Sequence, residues 1–568
     1  MTAARACLAA VLASLVAACN GSIDNRLEGH GEDAGTSADG GVVLGGSVTG
    51  IKDRCPESKA GAPVLRRLTR QELQNTIGDI FPEIAGDWGG VQLGPDPNSR
   101  LGFTNDSFVL MAGDSVSEKI LGTAEDVARL VTDPLRLPQL LPCSQATPDA
   151  SCALQFIDKY GPRLFRRPLS DAERTSYGAY HASVSGRSNF AMGVKWTLVA
   201  LLQSPHAIYR SELGDNGGAG YTPGQTYALS QYQIATELSY TYGGSAPTPD
   251  LLAKASRGEL GSPDALVNEA RQLLQTPRGQ EVVRDFFRQW VQYRTVADKV
   301  KTTTKDFDLV KGAMAEETRR FIDQVVFTNG GGVRDLLVAP YTVVNGALTG
   351  FYGFGAASTA DYQLVNRPAN AGLGLLAQGS ILAGNAQADR SSPTKRGLAV
   401  FEKLFCNERP QVPPNVPKLE TSAPADPGTT TRERFETLHA SSDFCKSCHS
   451  QFDPIGFGFE HFDEVGRYRA TENGNAIDAT GIVTRIDPKT GATSTVITFD
   501  GLAELATKAA GLPEVSDCVG GFLASYAYGG VFECPAEDQR TALADGKYGL
   551  VEYLVQLANA PHFVRRVP

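Results

Sequence analysis

Helix-start signals punctuate this sequence, and they constrain its fold more than any other feature. A Ser or Thr is followed three residues later by Glu or Gln at Thr69, Ser170 and Ser230. In this capping box the Ser or Thr side chain accepts a hydrogen bond from the backbone N–H three residues on. The Glu or Gln side chain there accepts one from the backbone N–H of the Ser or Thr. Ser262 precedes Pro263, and proline is favoured at the first helical position. We therefore predict a mainly α protein built from several packed helical domains.

One stretch departs from the helical pattern. Between Arg467 and Phe499, β-branched residues alternate with turn signals at Asn473-Gly474, Thr480-Gly481 and 487–491. Such alternation, broken by turn dipeptides, is typical of short antiparallel strands. We predict a small antiparallel β insertion, arranged as a meander, near 467–499.

The chain of 568 residues is longer than one hydrophobic core usually supports, so we expect several domains. Composition shifts and helix starts define the division. A signal peptide at 1–18 is followed by a flexible Gly/Ser/Asp-rich tether at 19–55. Three helical domains come next, at 60–135, 150–215 and 222–350. The chain ends with a CxxCH domain at 366–470 and with a β meander and C-terminal helical domain at 471–568.

The first residues predict export. Ala6 to Ala18 is an apolar run that is too short to span a bilayer, and Leu15 to Cys19 has the form of a bacterial lipobox. Cleavage before Cys19 and lipidation of that residue would anchor the protein in the bacterial envelope, at the outer membrane and periplasm or at the cell surface. The alternative, an ordinary secretory signal cleaved nearby, also exports the chain.

Charge and hydropathy restrict the partners. The formal net charge is −10, with no basic stripe or tail, so we expect no nucleic-acid partner. No later segment approaches 18 uninterrupted apolar residues, so we expect membrane association through the lipid anchor only.

The segment Cys445-Lys446-Ser447-Cys448-His449 has the form of a covalent haem c attachment site. In such a site two thiols add across the vinyl groups of one haem, and the histidine binds the iron from the proximal side. We predict one covalent haem c, with Cys445 and Cys448 as the thioether links and His449 as the proximal ligand.

The sequence leaves the distal ligand of the iron open. His461 is the first candidate, and His439 or, from another domain, His206 are alternatives. None of the four methionines lies near the motif along the chain. A five-coordinate iron with one open face is the remaining option.

Three other interpretations of Cys445 and Cys448 stay open. A zinc site needs four ligands, and no second CxxC or HxxxH motif supplies the missing pair. A redox-active Cys445–Cys448 disulfide would lack a thioredoxin-like βαβ context. A structural bridge, for example from Cys406 to one of the two, would need no cofactor.

The other cysteines predict disulfides. Once Cys7 in the signal, Cys19 and the haem pair are set aside, an even set remains for an oxidising compartment: Cys55, Cys143, Cys152, Cys406, Cys518 and Cys534. Local bridges Cys143–Cys152 and Cys518–Cys534 are our prediction, which leaves Cys55–Cys406 by elimination. Sequence alone does not derive the pairing.

A charged segment, Asp389 to Gly397, precedes the motif. Its Arg390, Lys395 or Arg396 can hold haem propionates, because guanidinium groups match carboxylates. A helix start capped by Ser or Thr is the simpler interpretation and the one we favour.

Three acidic residues follow the motif: Asp453, Glu460 and Asp463. They can bind calcium or support the iron ligand from behind. A solvated acidic face is the simpler expectation.

Short stretches spread along the chain resemble one family. They lie at 67–73 (RLTRQEL), 165–170 (FRRPLS), 204–210 (SPHAIYR), 390–397 (RSSPTKRG), 430–434 (TTRER) and 448–457 (CH to DPIGF). They are similar to the domain-of-unknown-function array of secreted cytochrome-c-like proteins of planctomycetes and myxobacteria. The resemblance implies a modular exported protein with a CxxCH domain, and it carries no established activity. Relatives usually have methionine where this chain has Phe452, a position on the same helix face as His449, so this departure does not identify the distal ligand.

Electron transfer through one haem at the cell envelope, to an unknown redox partner, is the preferred function. One alternative is a haem-dependent peroxidase or oxygenase, which needs an open iron face. The other is a haem-free binding or scaffold protein whose cysteines form disulfides. Far more chain precedes the motif than one shuttle haem needs, so the sequence does not decide whether the protein is an enzyme.

Overall fold

The computed structural model describes residues 64–214, 221–355, 359–410, 428–439, 443–486, 492–529 and 537–567. The predicted signal peptide and tether, with Cys7, Cys19 and Cys55, lie outside these residues, and so does Cys534. For His439 the backbone alone is described.

The N-terminal body comprises residues 66–210. Its elements are β1 (Arg66–Arg67), α1 (Arg70–Ile80), α2 (Asp114–Val131), α3 (Leu137–Leu140), α4 (Ala150–Phe165), α5 (Asp171–Ser185), α6 (Phe190–Gln203), α7 (Pro205–Ile208) and β2 (Tyr209–Arg210). Apolar faces of α1, α2, α4 and α6 share one core, which includes Ile77, Val127, Ile157 and Leu198.

The C-terminal body comprises residues 227–566. Its first elements are β3 (Tyr227–Ala228), α8 (Gln231–Gly243), α9 (Pro249–Ser256), α10 (Pro263–Gln275), α11 (Pro277–Trp290), α12 (Phe307–Asp323), α13 (Val333–Val338), β4 (Tyr341–Val344), α14 (Gly346–Tyr352), β5 (Gln363–Asn366) and α15 (Gly379–Gly384). Then follow α16 (Pro393–Lys403), α17 (Thr431–His439), α18 (Asp443–Gly456), β6 (Thr471–Glu472), β7 (Asn475–Ala476), β8 (Thr480–Ile486), β9 (Thr493–Asp500), α19 (Gly501–Ala509), α20 (Pro513–Ala527), α21 (Glu537–Ala544), α22 (Leu550–Gln556), α23 (Pro561–Val564) and β10 (Arg565–Arg566).

Short segments of other helix types connect these elements. Turns of 3-10 helix lie at Pro82–Ile84, Pro142–Gln145, Tyr293–Asp298, Leu375–Ala377, Phe457–Phe459 and Leu557–Asn559, and a π-helical turn extends α12 at Gln324–Thr328. A large core fills the C-terminal body, and a smaller cluster forms around Phe307, Met314 and Leu348. Phe103 of the N-terminal body packs into the large core against Phe286 and Tyr526, so the two bodies share an apolar contact.

The predicted mainly α fold is confirmed, and the helix starts explain why. Thr69, Ser170 and Ser230 each accept a hydrogen bond from the backbone N–H three residues on, and the Glu or Gln there bonds back to the cap. Ser262 caps α10, with Pro263 as its first residue. These caps satisfy backbone donors that a helix end otherwise leaves without partners.

The predicted β insertion is present as two separate antiparallel hairpins. Strand β6 pairs with β7, and β8 pairs with β9 along Thr480 to Asp500 with an irregularity at Val483. Each sheet in the described residues has two strands. The segment is therefore not a continuous meander, and its hairpins lie against helices: β8 against α18, and β9 against α19.

Both bodies close in the same way. The segments 204–210 and 560–566 have similar sequences, and each forms a one-turn helix followed by a two-residue strand. Strand β2 pairs with β1, and β10 pairs with β3. The N–H of Leu68 donates to the carbonyl of Ile208, and the N–H of Leu229 donates to that of Val564, both at 2.9 Å. In each case the end of the body is bonded to the strand that leads into its first capped helix.

Two disulfides occur among the described residues. Cys143–Cys152 is confirmed. Cys518 pairs with Cys406, 112 residues away, so the predicted Cys518–Cys534 bridge and the Cys55–Cys406 pairing by elimination are both wrong. Short separation favours a local bridge, but packing of α20 beside the end of α16 brings Cys406 to Cys518 instead. The carbonyl of Lys403, in the last turn of α16, lies 3.6 Å from Cys518 Sγ.

Disulfides of this kind are typical of proteins outside the cytosol. In the part of the chain that the structure describes, no helix combines the length and the apolar character needed to cross a bilayer. Cys19 is not among these residues, so its lipidation stays a prediction.

Candidate cofactor site

Helix α18 carries the whole CxxCH motif. Cys445 and His449 are four residues apart, so they lie on one side of the helix, and Cys448 is adjacent to them. Both cysteines are thiols with partly exposed side chains, and Cys448 packs against the edge of the large core. The structure thus brings the three predicted attachment residues to one surface of one helix.

Close packing against α16 fixes the position of α18. A side chain at Gly397 would overlap the carbonyl of Phe452, and one at Gly456 would overlap that of Pro393. The backbones of the two helices therefore approach closely. Phe452 is buried, and its ring packs 6.0 Å from that of Phe401 between the helices. Phe452 is thus a core residue.

His449 is bonded to a buried carboxylate on its own helix. Its Nδ1 lies 3.1 Å from Oδ2 of Asp453, one turn further along α18. Asp453 is 4 % exposed, and its Oδ1 accepts a hydrogen bond of 2.6 Å from the hydroxyl of Thr394 on α16. When Nδ1 carries the proton and donates it to Asp453, the lone pair of the neutral imidazole lies on Nε2.

The segment 389–397 starts a helix, which confirms the simpler interpretation. Ser392 caps α16. The guanidinium of Arg396 is buried and donates to four backbone carbonyls, those of Leu382, Phe459, Phe462 and Asp463. Burial lowers the pKa of Arg396 to about 10. Because its donors are engaged inside the protein, Arg396 cannot reach a propionate at the surface.

The other two cations of this segment have partners of their own. Arg390 forms an ion pair with Asp389 at 2.8 Å, and Lys395 donates to the side chain of Gln387. Both lie at the N-terminal end of α16. Since α16 and α18 are antiparallel, that end is next to Gly456 rather than to the cysteines.

The acidic residues after the motif do not form the expected solvated face. Asp453 and Glu460 are almost wholly buried. Glu460 accepts hydrogen bonds from Ser391 and Arg469, and burial raises its pKa to about 7. Asp463 pairs with Arg467 at 3.0 Å. Within the described ranges no group of three or more His, Cys, Asp or Glu is placed to hold a metal ion.

The candidate distal ligands lie in different surroundings. His461 follows the C-terminal end of α18, where its ring stacks on Tyr468 and its Nδ1 lies 3.0 Å from the carbonyl of Arg469. His206 is in the N-terminal body, with Nε2 3.7 Å from Glu173. His449 and His461 are thus held by separate sets of contacts, and the side chain of His439 is not described.

Sequence reasoning missed a buried charge cluster where the two bodies meet. This junction cluster consists of Arg66, Arg210, Glu212, Glu237 and Arg566, none more than 4 % exposed. Glu212 accepts from Arg566 at 2.6 Å and lies 3.7 Å from Arg66, which also bonds Glu237 at 3.3 Å. The sequence offered one signal for this cluster: the two similar segments 204–210 and 560–566 each end in an arginine.

Two small cavities lie away from α18. One borders the junction cluster and is also lined by Tyr528 and His562. The other lies between Tyr352, Arg367 and Tyr468. No residue of α18 lines either cavity.

Comparison with protein-family models identifies four domains of unknown function in series. These are PSD3 (DUF1587) at residues 66–133, PSD5 (DUF1595) at 152–212, PSD4 (DUF1592) at 229–354 and PSCyt3 (DUF1588) at 373–472. The chain therefore belongs to a multi-domain family that carries this array of domains of unknown function. No curated protein and no solved structure matches it.

Proposed function

We propose that the protein is an exported c-type cytochrome that carries one covalent haem on α18 and transfers electrons at the cell envelope. The observation that carries the proposal is the placement of Cys445, Cys448 and His449 on one surface of α18, with Nδ1 of His449 beside a buried carboxylate. With Nδ1 bonded to this carboxylate, Nε2 is the ring atom that would bind the iron.

The donor set fits haem better than it fits a bare metal ion. A bare zinc ion needs about four protein ligands. In haem the porphyrin supplies four nitrogens to the iron, so the protein needs to supply only one or two ligands. One helix with two thiols and one imidazole meets that smaller demand. The match to PSCyt3, a domain whose name contains the syllable Cyt, spans both α16 and α18.

Covalent attachment needs no further oxidant or reductant. Each thiol adds across one vinyl C=C bond, so that sulfur bonds to one vinyl carbon and the thiol hydrogen passes to the other. Cys445 and Cys448 would each form one thioether in this way, and His449 would bind the iron. The bound haem supplies a one-electron Fe(III)/Fe(II) couple.

Export through the N-terminal signal and lipidation of Cys19 belong to the same proposal. They rest on the lipobox, and the disulfides Cys143–Cys152 and Cys406–Cys518 support an oxidising compartment. The electron donor or acceptor is a second protein, which has yet to be identified.

A second candidate function is haem-dependent oxidation. It is favoured by the carboxylate partner of His449, because an anionic partner makes a histidine ligand more basic. Binding of carbon monoxide by the reduced protein distinguishes the two, since an open iron face binds it at once and a face with a protein ligand does so slowly.

The test of haem attachment is a pyridine haemochrome spectrum of denatured protein, produced in a host with c-type maturation machinery. We expect a c-type α-band in the wild type and none in Cys445→Ala/Cys448→Ala. Cys143→Ala/Cys152→Ala is the matched control, because it removes two cysteines from the N-terminal body and should keep the band. A colourless wild type would refute the haem and leave a binding or scaffold role.

A further inference from the structure

We propose that Asp453 is a positioning residue that holds the iron-binding imidazole of His449 and lowers the reduction potential of the haem. This inference rests on the function proposed above. It starts from the register of α18, in which His449 and Asp453 are four residues apart and therefore neighbours on the helix surface.

Asp453 is a fixed acceptor rather than a mobile surface carboxylate. Its side chain is buried, and its two oxygens bond in different directions, Oδ2 to His449 and Oδ1 to Thr394. Thr394 is on the neighbouring helix and follows Pro393, whose carbonyl lies against Gly456. The position of the carboxylate is therefore set by two helices that cannot slide past each other without a backbone overlap.

Two consequences follow for a haem ligand. The bond to Nδ1 selects the tautomer with its lone pair on Nε2, and it limits rotation of the ring about the Cβ–Cγ bond. A carboxylate also donates more electron density through the imidazole than a neutral backbone carbonyl does. More density at the iron stabilises the ferric state, so the reduction potential should be lower than with a neutral partner.

The test compares haem-loaded variants. Asp453→Asn keeps the size and removes the charge, and Thr394→Val removes the hydroxyl that holds the carboxylate. Asp463→Asn is the matched control, because Asp463 is an acidic residue of the same segment that bonds Arg467. Each protein is measured for covalent haem by pyridine haemochrome and for midpoint potential by spectroelectrochemical titration.

We expect Asp453→Asn to keep covalent haem and to raise the midpoint potential, Thr394→Val to raise it by less, and Asp463→Asn to leave it near the wild-type value. If Asp453→Asn does not accumulate, Thr394→Val alone decides. This inference would be overturned if haem is attached but its midpoint potential changes in neither Asp453→Asn nor Thr394→Val. It would also be overturned if Asp463→Asn changes the potential as much as they do. In both cases the proposed function would stand. Absence of covalent haem from the wild type would overturn both.

Discussion

The junction cluster and helix α18 both involve buried charge, but the charge has a different role in each. In the junction cluster three arginines face two glutamates, and all five side chains are removed from water. At α18, buried Asp453 bonds His449, whose side chain is 24 % exposed. The first network closes within the protein, whereas the second leads from the core to a partly exposed histidine, the proposed iron ligand. Buried charge joins the two bodies at the junction cluster, whereas at α18 it orients the imidazole of His449.

The largest expected effect belongs to the junction cluster. Burial disfavours the charge of Glu212, but Arg566, Arg66 and Arg210 outweigh it and hold its pKa below the usual range. Replacing it, as Glu212→Ala, would leave buried arginines without that partner, and we expect a loss of about 3–5 kcal/mol in the free energy of unfolding. Urea denaturation measures this.

Arg100→Ala is the control for Glu212→Ala, because Arg100 and Glu408 form an exposed ion pair. We expect it to cost under about 1 kcal/mol. Under the proposed function, folded Glu212→Ala protein should carry as much haem as the wild type. Equal small losses in the two variants would show that the junction cluster does not hold the bodies together.

A smaller effect is expected from Glu460, which follows α18, and it depends on pH. Its folded pKa is about 7, against 4.5 for an ordinary glutamate, because burial outweighs Arg396 and Arg469. The folded state therefore binds more protons between these values, so the contribution to stability is complete below about pH 4.5 and is lost as pH rises through about 7. The shift corresponds to about 3 kcal/mol.

Glu460→Gln checks this linkage. Free energies of unfolding at several pH values from 4.5 to 8 should decline less steeply with pH in the variant than in the wild type. Parallel pH profiles for the two proteins would mean that Glu460 is ionised throughout this range, as Glu212 of the junction cluster is.

The smallest expected effect concerns the helix contact that supports α18. Gly397→Ala places a methyl group against the carbonyl of Phe452, and we expect a loss of about 1–3 kcal/mol. Gly312→Ala is the matched control, because Gly312 is also inside a helix, α12, and a methyl group there meets no atom within 4 Å. That variant should be neutral or up to about 1 kcal/mol more stable. Thermal unfolding of both proteins tests the difference, and equal changes would contradict close packing of α16 on α18.

Local features were predictable from the sequence, because the interacting groups are a few residues apart. The caps at Thr69, Ser170 and Ser230 depend on bonds that span three residues. The Cys143–Cys152 bridge spans nine. The motif Cys445 to His449 is also local, since one helix presents all three side chains.

Long-range features were not predictable, because partners far apart in sequence meet through packing. Cys518 has a nearer candidate partner along the chain, yet the position of α20 beside α16 pairs it with Cys406. Asp453 reads as a surface acid after the motif, and only the contact with Thr394 shows that it is buried and directed at His449. Arg66 and Arg566 lie at opposite ends of the described chain, and Glu212 brings them together.

The sequence by itself determined the helical class, the helix starts and the CxxCH residues proposed to bind haem, because each follows from periodicity or from groups on neighbouring turns of one helix. Tertiary structure alone decided which carboxylate supports His449, which cysteine bridges Cys518 and how the two bodies share buried charge. These contacts depend on the approach of helix backbones and on burial, and both are properties of the packed chain rather than of any short segment.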